Sequence, residues 1–115
     1  MGRDAVPIGV RGAAAVTAVE IWDVNGSTVW VDWGPDGKVV FQGQALTGRA
    51  EYEYAISVPS VDVAKLVAAL GGEADEDVIA LIAANGEAIV RRGEKAWVES
   101  LGITPEFWSR YDDGL

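Results

Sequence analysis

The dipeptide Asn25-Gly26 constrains the fold of this chain more than any other local feature. It separates two runs that are rich in β-branched and aromatic residues, 16–24 and 28–33. A type I′ turn needs positive φ at both central residues, which Asn and Gly adopt readily, so the pattern is typical of a tight β-hairpin. The turn-forming tetrapeptide Gly34-Pro35-Asp36-Gly37 then leads to a third predicted strand at 38–42.

A fourth strand is predicted over 50–58, after a short loop, and it alternates most cleanly. Its apolar side chains share one face and its polar side chains share the other, namely Tyr52, Tyr54, Ile56 and Val58 against Glu51, Glu53 and Ser57. This division indicates an antiparallel sheet that is covered on one side only.

The second half of the chain has the periodicity of helices that could supply this cover. Ser60 is predicted to cap the first helix, and Gly71-Gly72 to end it. Its apolar stripe falls at helical spacing on Val63, Leu66, Val67 and Leu70.

A second helix is predicted to start near Asp75 and to end at Asn85-Gly86. The segment 87–93 is compatible with helix or loop, because Ile89 continues the apolar stripe while glycines bracket the segment. A third helix is predicted from about Glu94 to Leu101, with Gly102 as the residue that terminates it.

The end of the chain allows two interpretations. Thr104 followed by Pro105 is typical of a capped helix start and predicts a short fourth helix. A closing strand through Phe107 and Trp108 is the alternative. Residues 111–115 are expected to form a frayed tail.

These patterns predict an α+β fold, in which a four-stranded antiparallel meander is covered on one face by three or four short C-terminal helices. The predicted organisation is a single domain over 16–110, preceded by a poorly ordered lead over 1–15. That lead does not match a signal peptide, because Pro7 and Arg11 interrupt a short apolar stretch. No apolar run is long enough to span a bilayer, and a cytoplasmic protein is expected.

The composition excludes several classes of chemistry. The 115 residues include no Cys and no His, which excludes disulfide scaffolds, thiol catalysis, zinc knuckles and histidine-based triads. The chain is therefore expected to be a non-enzyme without cofactor or metal. The net charge of −9, from 9 basic and 18 acidic residues, disfavours nucleic acid and anionic membranes and favours a basic protein partner.

Two groups of carboxylates are candidate partner-binding residues. Glu51 and Glu53 project from one strand face, about 6.5–7 Å apart along the strand. That spacing would suit an inverting pair of catalytic carboxylates, but any solvated strand face produces it. The second group lies between the first two helices and comprises Glu73, Asp75, Glu76 and Asp77; its spacing does not match an EF-hand, and charges at a helix start explain most of it.

The tryptophans add an aromatic component to the candidate surface. Trp22 is expected opposite or diagonal to Val29 or Trp30 across the first hairpin. Trp30 and Asp32 share one face of the second strand, whereas Trp33 lies on the other face, so at least one of the two tryptophans is expected to face solvent. Exposed tryptophan beside acidic groups is a common anchor of protein interfaces.

Three segments carry a resemblance to known proteins: Gly102–Arg110 (GITPEFWSR), Tyr52-Glu53-Tyr54 and Val58-Pro59. They resemble small uncharacterised proteins of actinobacteria. In size, acidity and α+β layout the chain is also similar to bacterial toxin-immunity proteins. That resemblance implies a stoichiometric complex that blocks the active site of a toxin, with acidic groups set against a cationic groove.

The favoured hypothesis is a small acidic protein-binding module of immunity or antitoxin type. Its expected contacts are Trp30, Asp32, Glu51 and Glu53 on the outer sheet face, with Glu73–Asp77 as a further surface. The alternatives are a structural or self-assembling protein, in which the sheet face or an edge strand pairs with a like copy, and a carboxylate enzyme. The sequence leaves the oligomeric state open.

Overall fold

A computed structural model describes residues 17–112 and contains one antiparallel sheet and a layer of short helices. The predicted lead over 1–15 lies outside the described residues, as do residues 113–115. The strands are β1 (Val19–Val24), β2 (Ser27–Trp33), β3 (Val39–Thr47), β4 (Ala50–Val58) and β5 (Glu106–Asp112). Their order in the sheet is the order in the chain, β1-β2-β3-β4-β5. The α+β class and the antiparallel sheet are confirmed, with five strands rather than the predicted four.

The first hairpin forms where the sequence predicts it. Asn25 has φ 52° and Gly26 has φ 82°, the left-handed values that a type I′ turn requires. Trp22 pairs with Val29 across the hairpin, as expected, and a β-bulge interrupts the register between Glu20 and Trp22. The bulge lets Ile21 pack against the core beneath the sheet.

The third strand is longer than predicted, and the predicted short loop through Leu46, Thr47, Gly48 and Arg49 is wrong at its first two residues. β3 continues to Thr47 and pairs with β4 without interruption, from Val39 opposite Val58 to Thr47 opposite Ala50. Gly43 permits this pairing, because a Cβ there would lie 2.1 Å from the ring of Tyr54. The ring of Tyr54 therefore occupies the space that a side chain at position 43 would need.

Four helices pack on one face of the sheet: α1 (Val63–Ala69), α2 (Val78–Ala84), α3 (Gly86–Arg92) and α4 (Glu94–Ser100). Phe41 and Val31 from the sheet are fully buried, as are Leu66 and Ile82 from the helices, and all belong to one apolar cluster. The predicted stripes of the first two helices face this cluster. Burial of these side chains is the main stabilising term of the fold.

The helix starts differ from prediction in their caps. Ser60 does not cap α1; residues Ser60–Asp62 form a single 3₁₀ turn, and α1 begins after it. α2 starts at Val78 rather than near Asp75, because the side chain of Asp77 accepts a hydrogen bond from the backbone N–H of Ile79 at 3.0 Å. A capping carboxylate stabilises a helix start at that position.

Residues 87–93, which the sequence leaves open, belong to α3 as far as Arg92. Gly86 ends the preceding turn and also begins this helix. A Cβ at Gly86 would lie 2.8 Å from Cβ of Ile21, so a glycine is required for the close approach between α3 and β1. Gly93, at φ 98°, then separates α3 from α4.

The predicted fourth helix over 104–108 is wrong, and the alternative strand is present. Glu106–Asp112 pairs antiparallel with β4, from Glu106 opposite Ser57 to Asp112 opposite Glu51. The local helix signal at Thr104-Pro105 is outweighed by the backbone hydrogen bonds that the free edge of β4 offers. The expected frayed tail therefore does not include Tyr111 and Asp112, which are the last two residues of β5.

Candidate protein-binding surface

The face of the sheet opposite the helices, here termed the outer face, carries most of the candidate contact residues. The strand register aligns its side chains in rows that cross the sheet. One row contains Trp30, Gln42, Ala55 and Trp108, and the next contains Thr28, Gln44, Glu53 and Arg110. The structure therefore places two tryptophans, from β2 and β5, in one row, beside a row that contains an acid and a base.

Glu53 is the most unusual residue of the outer face, because only 2% of it is exposed. The solvated strand face predicted from the alternation is thus wrong at this position. Arg110 Nη2 lies 3.2 Å from Glu53 Oε1, and the two residues are opposite each other in the register. A buried carboxylate needs such a partner, since an uncompensated charge in the interior is costly. Glu53 therefore organises the face rather than offering itself to a partner.

Glu51 lies one row further along β4 and is only half-buried. The amide Nε2 of Gln44 donates a hydrogen bond to Glu51 Oε2 at 2.8 Å. Glu51 and Glu53 share the outer face, as the alternation predicts, but they differ in burial and in partner. Of the two, Glu51 is the carboxylate that a binding partner can reach.

Asp32 and Trp30 occupy the β2 side of the outer face, and both are half-buried. Asp32 Oδ2 accepts a hydrogen bond from the hydroxyl of Thr17 at 2.8 Å, and its Oδ1 accepts from the backbone N–H of Trp33 at 2.8 Å. These bonds hold the carboxylate in one orientation. Trp33 lies on the opposite face and is 49% exposed, which confirms that at least one of the two tryptophans faces solvent.

The centre of the outer face is buried, whereas Trp108 of β5 is exposed. Val40 and Ala55 are 2% and 3% exposed, with Gly34 packed against the Val40 side chain. By contrast, Trp108 is 43% exposed. It borders an open depression of about 250 Å³, whose lining also includes Ala55, Ser57 and Glu106.

Trp108 and Arg110 are functional candidates that the sequence reasoning did not select. The prediction of a helix over 104–108 separated them from the sheet. The aromatic residues Phe107, Trp108 and Tyr111 are a strand signal, and the period of two in a strand would have placed Trp108 and Arg110 on one face.

The second predicted group of carboxylates does not join this surface. Residues 73–77 connect α1 to α2 and therefore lie in the helix layer. Glu76 Oε1 accepts a hydrogen bond from the backbone N–H of Glu73 at 2.6 Å, and Asp77 caps α2. Local backbone contacts thus account for two of the four acids, Glu76 and Asp77.

A second buried carboxylate, Glu94, lies beneath the helix-covered face at the start of α4 and is 6% exposed. The Tyr54 hydroxyl donates a hydrogen bond to Glu94 Oε2. Burial raises the pKa of Tyr54 well above its ordinary value, and the adjacent Glu94 carboxylate raises it further. Tyr52, Tyr54 and Glu94 line a shallow groove of about 200 Å³ beside Phe107 and Lys95.

Comparisons with known proteins provide no relative from which a function could be transferred, since no family model, curated protein or solved structure matches the chain. Within residues 17–112, no helix has both the length and the apolar character needed to cross a membrane. The same part of the chain contains no group of three or more acidic side chains arranged to hold a metal ion.

Proposed function

We propose that the chain is a small acidic protein-binding module of immunity or antitoxin type, which acts by forming a stoichiometric complex with a basic partner in the cytoplasm. The observation that carries the proposal is the outer face, on which Trp108 is exposed beside acidic side chains. The proposed contacts are Trp108, Trp30, Asp32, Glu51 and Glu106. Glu53 is not a proposed contact; it is buried on the same face and pairs with Arg110.

The chemistry of the surface supports a protein partner. Tryptophan supplies a large apolar area with little conformational entropy to lose, and is therefore enriched among the residues that dominate interface energies. Trp108 has nearly half of its surface available, and the depression beside it can receive a side chain of the partner. The half-buried Trp30 of β2 lies in the same row.

The charge of the chain supports a basic partner rather than a nucleic acid or an anionic membrane. The net charge of −9 creates a field that attracts cations and repels phosphate groups. Such a field accelerates encounter more than it strengthens the final complex. We therefore expect charge to set the association rate and the aromatic anchors to set the dissociation rate.

The direct test is affinity capture from the native organism, followed by measurement with the purified partner. The expected partner is a basic protein that binds in a 1:1 complex, and coexpression of the chain should protect cells from its toxicity. Trp108→Ala is expected to weaken binding at least about tenfold, a loss typical of an anchor residue. Val61→Ala is the matched control, because Val61 is 85% exposed in the 3₁₀ turn before the helix layer.

Salt dependence tests the electrostatic part of the proposal separately. Raising the ionic strength shortens the Debye length, which is about 10 Å at 0.1 M, and should slow association while changing dissociation little. A partner that binds Trp108→Ala as tightly as wild type, or that binds with a salt-insensitive association rate and no toxicity to relieve, would overturn the proposal.

A further inference from the structure

The edge strand β5 has the features of a strand that accepts another strand. It contains seven residues and pairs with β4 without a bulge, and it includes no proline. Within residues 17–112, no strand pairs with its other side. The outward-pointing N–H and C=O groups of such an edge are a template for β-pairing.

The opposite edge strand, β1, is protected against pairing with a further strand, whereas β5 is not. β1 is interrupted by the bulge between Glu20 and Trp22, and α3 approaches it closely at Ile21. The guanidinium of Arg91 from α3 also lies 5.4 Å from the ring of Trp22. Bulges and covering helices are the usual means of blocking an edge, and β5 has no bulge.

β5 carries exposed aromatic side chains on both faces of the strand. Phe107 is 47% exposed, Trp108 43% and Tyr111 66%. Phe107 and Tyr111 point to the helix-covered side, whereas Trp108 points to the outer face. A strand added to this edge would therefore find aromatic partners on both sides of the new ladder.

The order of these side chains makes β5 complementary to itself. We propose that β5 pairs antiparallel with β5 of a second copy of this chain, about a twofold axis at Ser109. In that register, Phe107 lies opposite Tyr111 of the other copy, and Trp108 lies opposite Arg110, each pair occurring twice. Aromatic pairs and a guanidinium over an indole ring are both favourable cross-strand neighbours.

The ends of the ladder limit the strength of the dimer. Glu106 lies opposite Asp112 of the second copy, and like charges directly opposite each other are unfavourable. Lys38 Nζ, 3.0 Å from Glu106 Oε1, offsets part of this repulsion. The result is a reversible dimer whose population increases with protein concentration and with ionic strength.

The dimer would add a property that the proposed partner-binding function does not require. A twofold axis perpendicular to the sheet joins two five-stranded sheets into one and keeps both outer faces on the same side. The two Trp108 side chains would then lie close together. One assembly would present two copies of the proposed contact surface to a partner.

Because the chain contains no cysteine, one introduced thiol can report the register directly. In an antiparallel pair the Cα atoms of opposed residues lie about 4.5–5.5 Å apart, within the range that a disulfide spans. Ser109→Cys is therefore expected to form an intermolecular disulfide rapidly under mild oxidation. Ser60→Cys, an exposed serine outside the sheet, is the control and should crosslink far more slowly.

Sedimentation equilibrium provides the second measurement. Wild type is expected to shift from 12.2 kDa towards twice that mass as concentration increases. Tyr111→Lys should raise the dimer dissociation constant at least tenfold, since it replaces an aromatic partner on each side of the axis. The matched change Val24→Lys, at an exposed apolar position on β1, should leave the constant unchanged.

Two results would overturn this inference: a monomer at every concentration tested, or Ser109→Cys that crosslinks no faster than Ser60→Cys. Neither result bears on partner binding through Trp108, which is measured with the partner at a protein concentration below the dimer range. The proposed function and the proposed dimer can therefore fail independently.

Discussion

Each face of the sheet buries one carboxylate, and the two carboxylates are stabilised by different kinds of partner. On the outer face, Glu53 faces the guanidinium of Arg110, a charged partner that is 48% exposed. On the helix-covered face, Glu94 accepts a hydrogen bond from the neutral hydroxyl of Tyr54. A carboxylate near the edge can thus use a cation that remains in contact with water, whereas one between the helices and the sheet depends on a half-buried neutral donor.

This difference suggests that one face of the sheet mainly stabilises the fold and the other mainly binds a partner. The helix-covered face supplies the apolar core, to which Phe41 contributes a fully buried ring. On the outer face, the ion pair between Glu53 and Arg110 connects β4 to β5. Charged and aromatic side chains of β5 lie beside this pair. Stability should therefore depend mainly on the first face, and binding on the second.

The largest expected effect is on the covered face. Phe41→Ala removes a ring that is 0% exposed and contacts Trp97 edge-on at 6.4 Å between centroids. The free energy of unfolding should fall by about 3–5 kcal/mol, the usual cost of an aromatic truncation in a core. Chemical denaturation measures it. Ser57→Ala, on the outer face, should change stability by no more than about 0.5 kcal/mol, and similar losses for both would refute the division.

The next largest effect on stability concerns the ion pair between Glu53 and Arg110. Arg110→Ala leaves the carboxylate of Glu53 without its guanidinium; because Arg110 is half-exposed, solvent screening reduces the expected loss to about 1–2 kcal/mol. Glu53→Gln should cost less, since no charge remains buried. A double-mutant cycle with both changes should reveal a coupling above about 0.5 kcal/mol; strictly additive losses would show that the pair does not organise the face.

The hydrogen bond between Tyr54 and Glu94 predicts that the stability of the fold depends on pH. The pKa of Tyr54 is raised in the folded state, so the folded state retains a proton that the unfolded state loses near pH 10. This contribution to stability is fully present below pH 10 and is lost as the pH rises above it, towards the raised folded pKa. Denaturation between pH 8 and pH 11.5 should show a steeper decline for wild type than for Tyr54→Phe.

At neutral pH, Tyr54→Phe should cost about 1–2 kcal/mol, because Glu94 loses a donor while it remains buried. Tyr52→Phe is the control, since the Tyr52 ring lies 5.8 Å from that of Tyr54, whereas the hydroxyl that donates to Glu94 is that of Tyr54. If both phenylalanine variants followed the wild-type pH profile, the Tyr54 hydroxyl would not be the group that titrates.

The smallest expected effect is that of the exposed ion pair at the start of β5. Lys38 and Glu106 have side-chain exposures of 31% and 65%, and pairs of this kind contribute less than about 0.5 kcal/mol to stability. Lys38→Ala should therefore leave unfolding almost unchanged while it weakens the β5 dimer, because the charge that offsets Glu106 is removed. Sedimentation at two concentrations distinguishes these outcomes.

Local signals in the sequence predicted much of the sheet but not its last strand. The turn at Asn25-Gly26 and the alternation over 50–58 are short-range features, and both reappear in the structure. The segment 104–108 carries an equally local helix signal, yet it pairs with β4. Sequence patterns near Thr104 cannot report that the edge of β4 is open, because that edge is created by residues some fifty positions earlier.

The candidate surface was predicted in part for the same reason. Alternation placed Trp30 with Asp32, and Glu51 with Glu53, on one face. It could not indicate that Glu53 would be buried against Arg110, since their separation in the chain hides the cross-strand contact. Charge alone favours a contact surface for the acids between α1 and α2, but two of them satisfy backbone groups nearby.

By itself, the sequence determined which segments can turn, alternate or form amphipathic helices, and it excluded chemistry that needs histidine or cysteine. These properties depend on neighbouring residues and on side-chain chemistry alone. Only the tertiary structure decided that residues 106–112 form an edge strand and that Trp108, Arg110 and Glu53 share one face. Those outcomes depend on pairing between distant segments, where backbone hydrogen bonds and burial outweigh local preference.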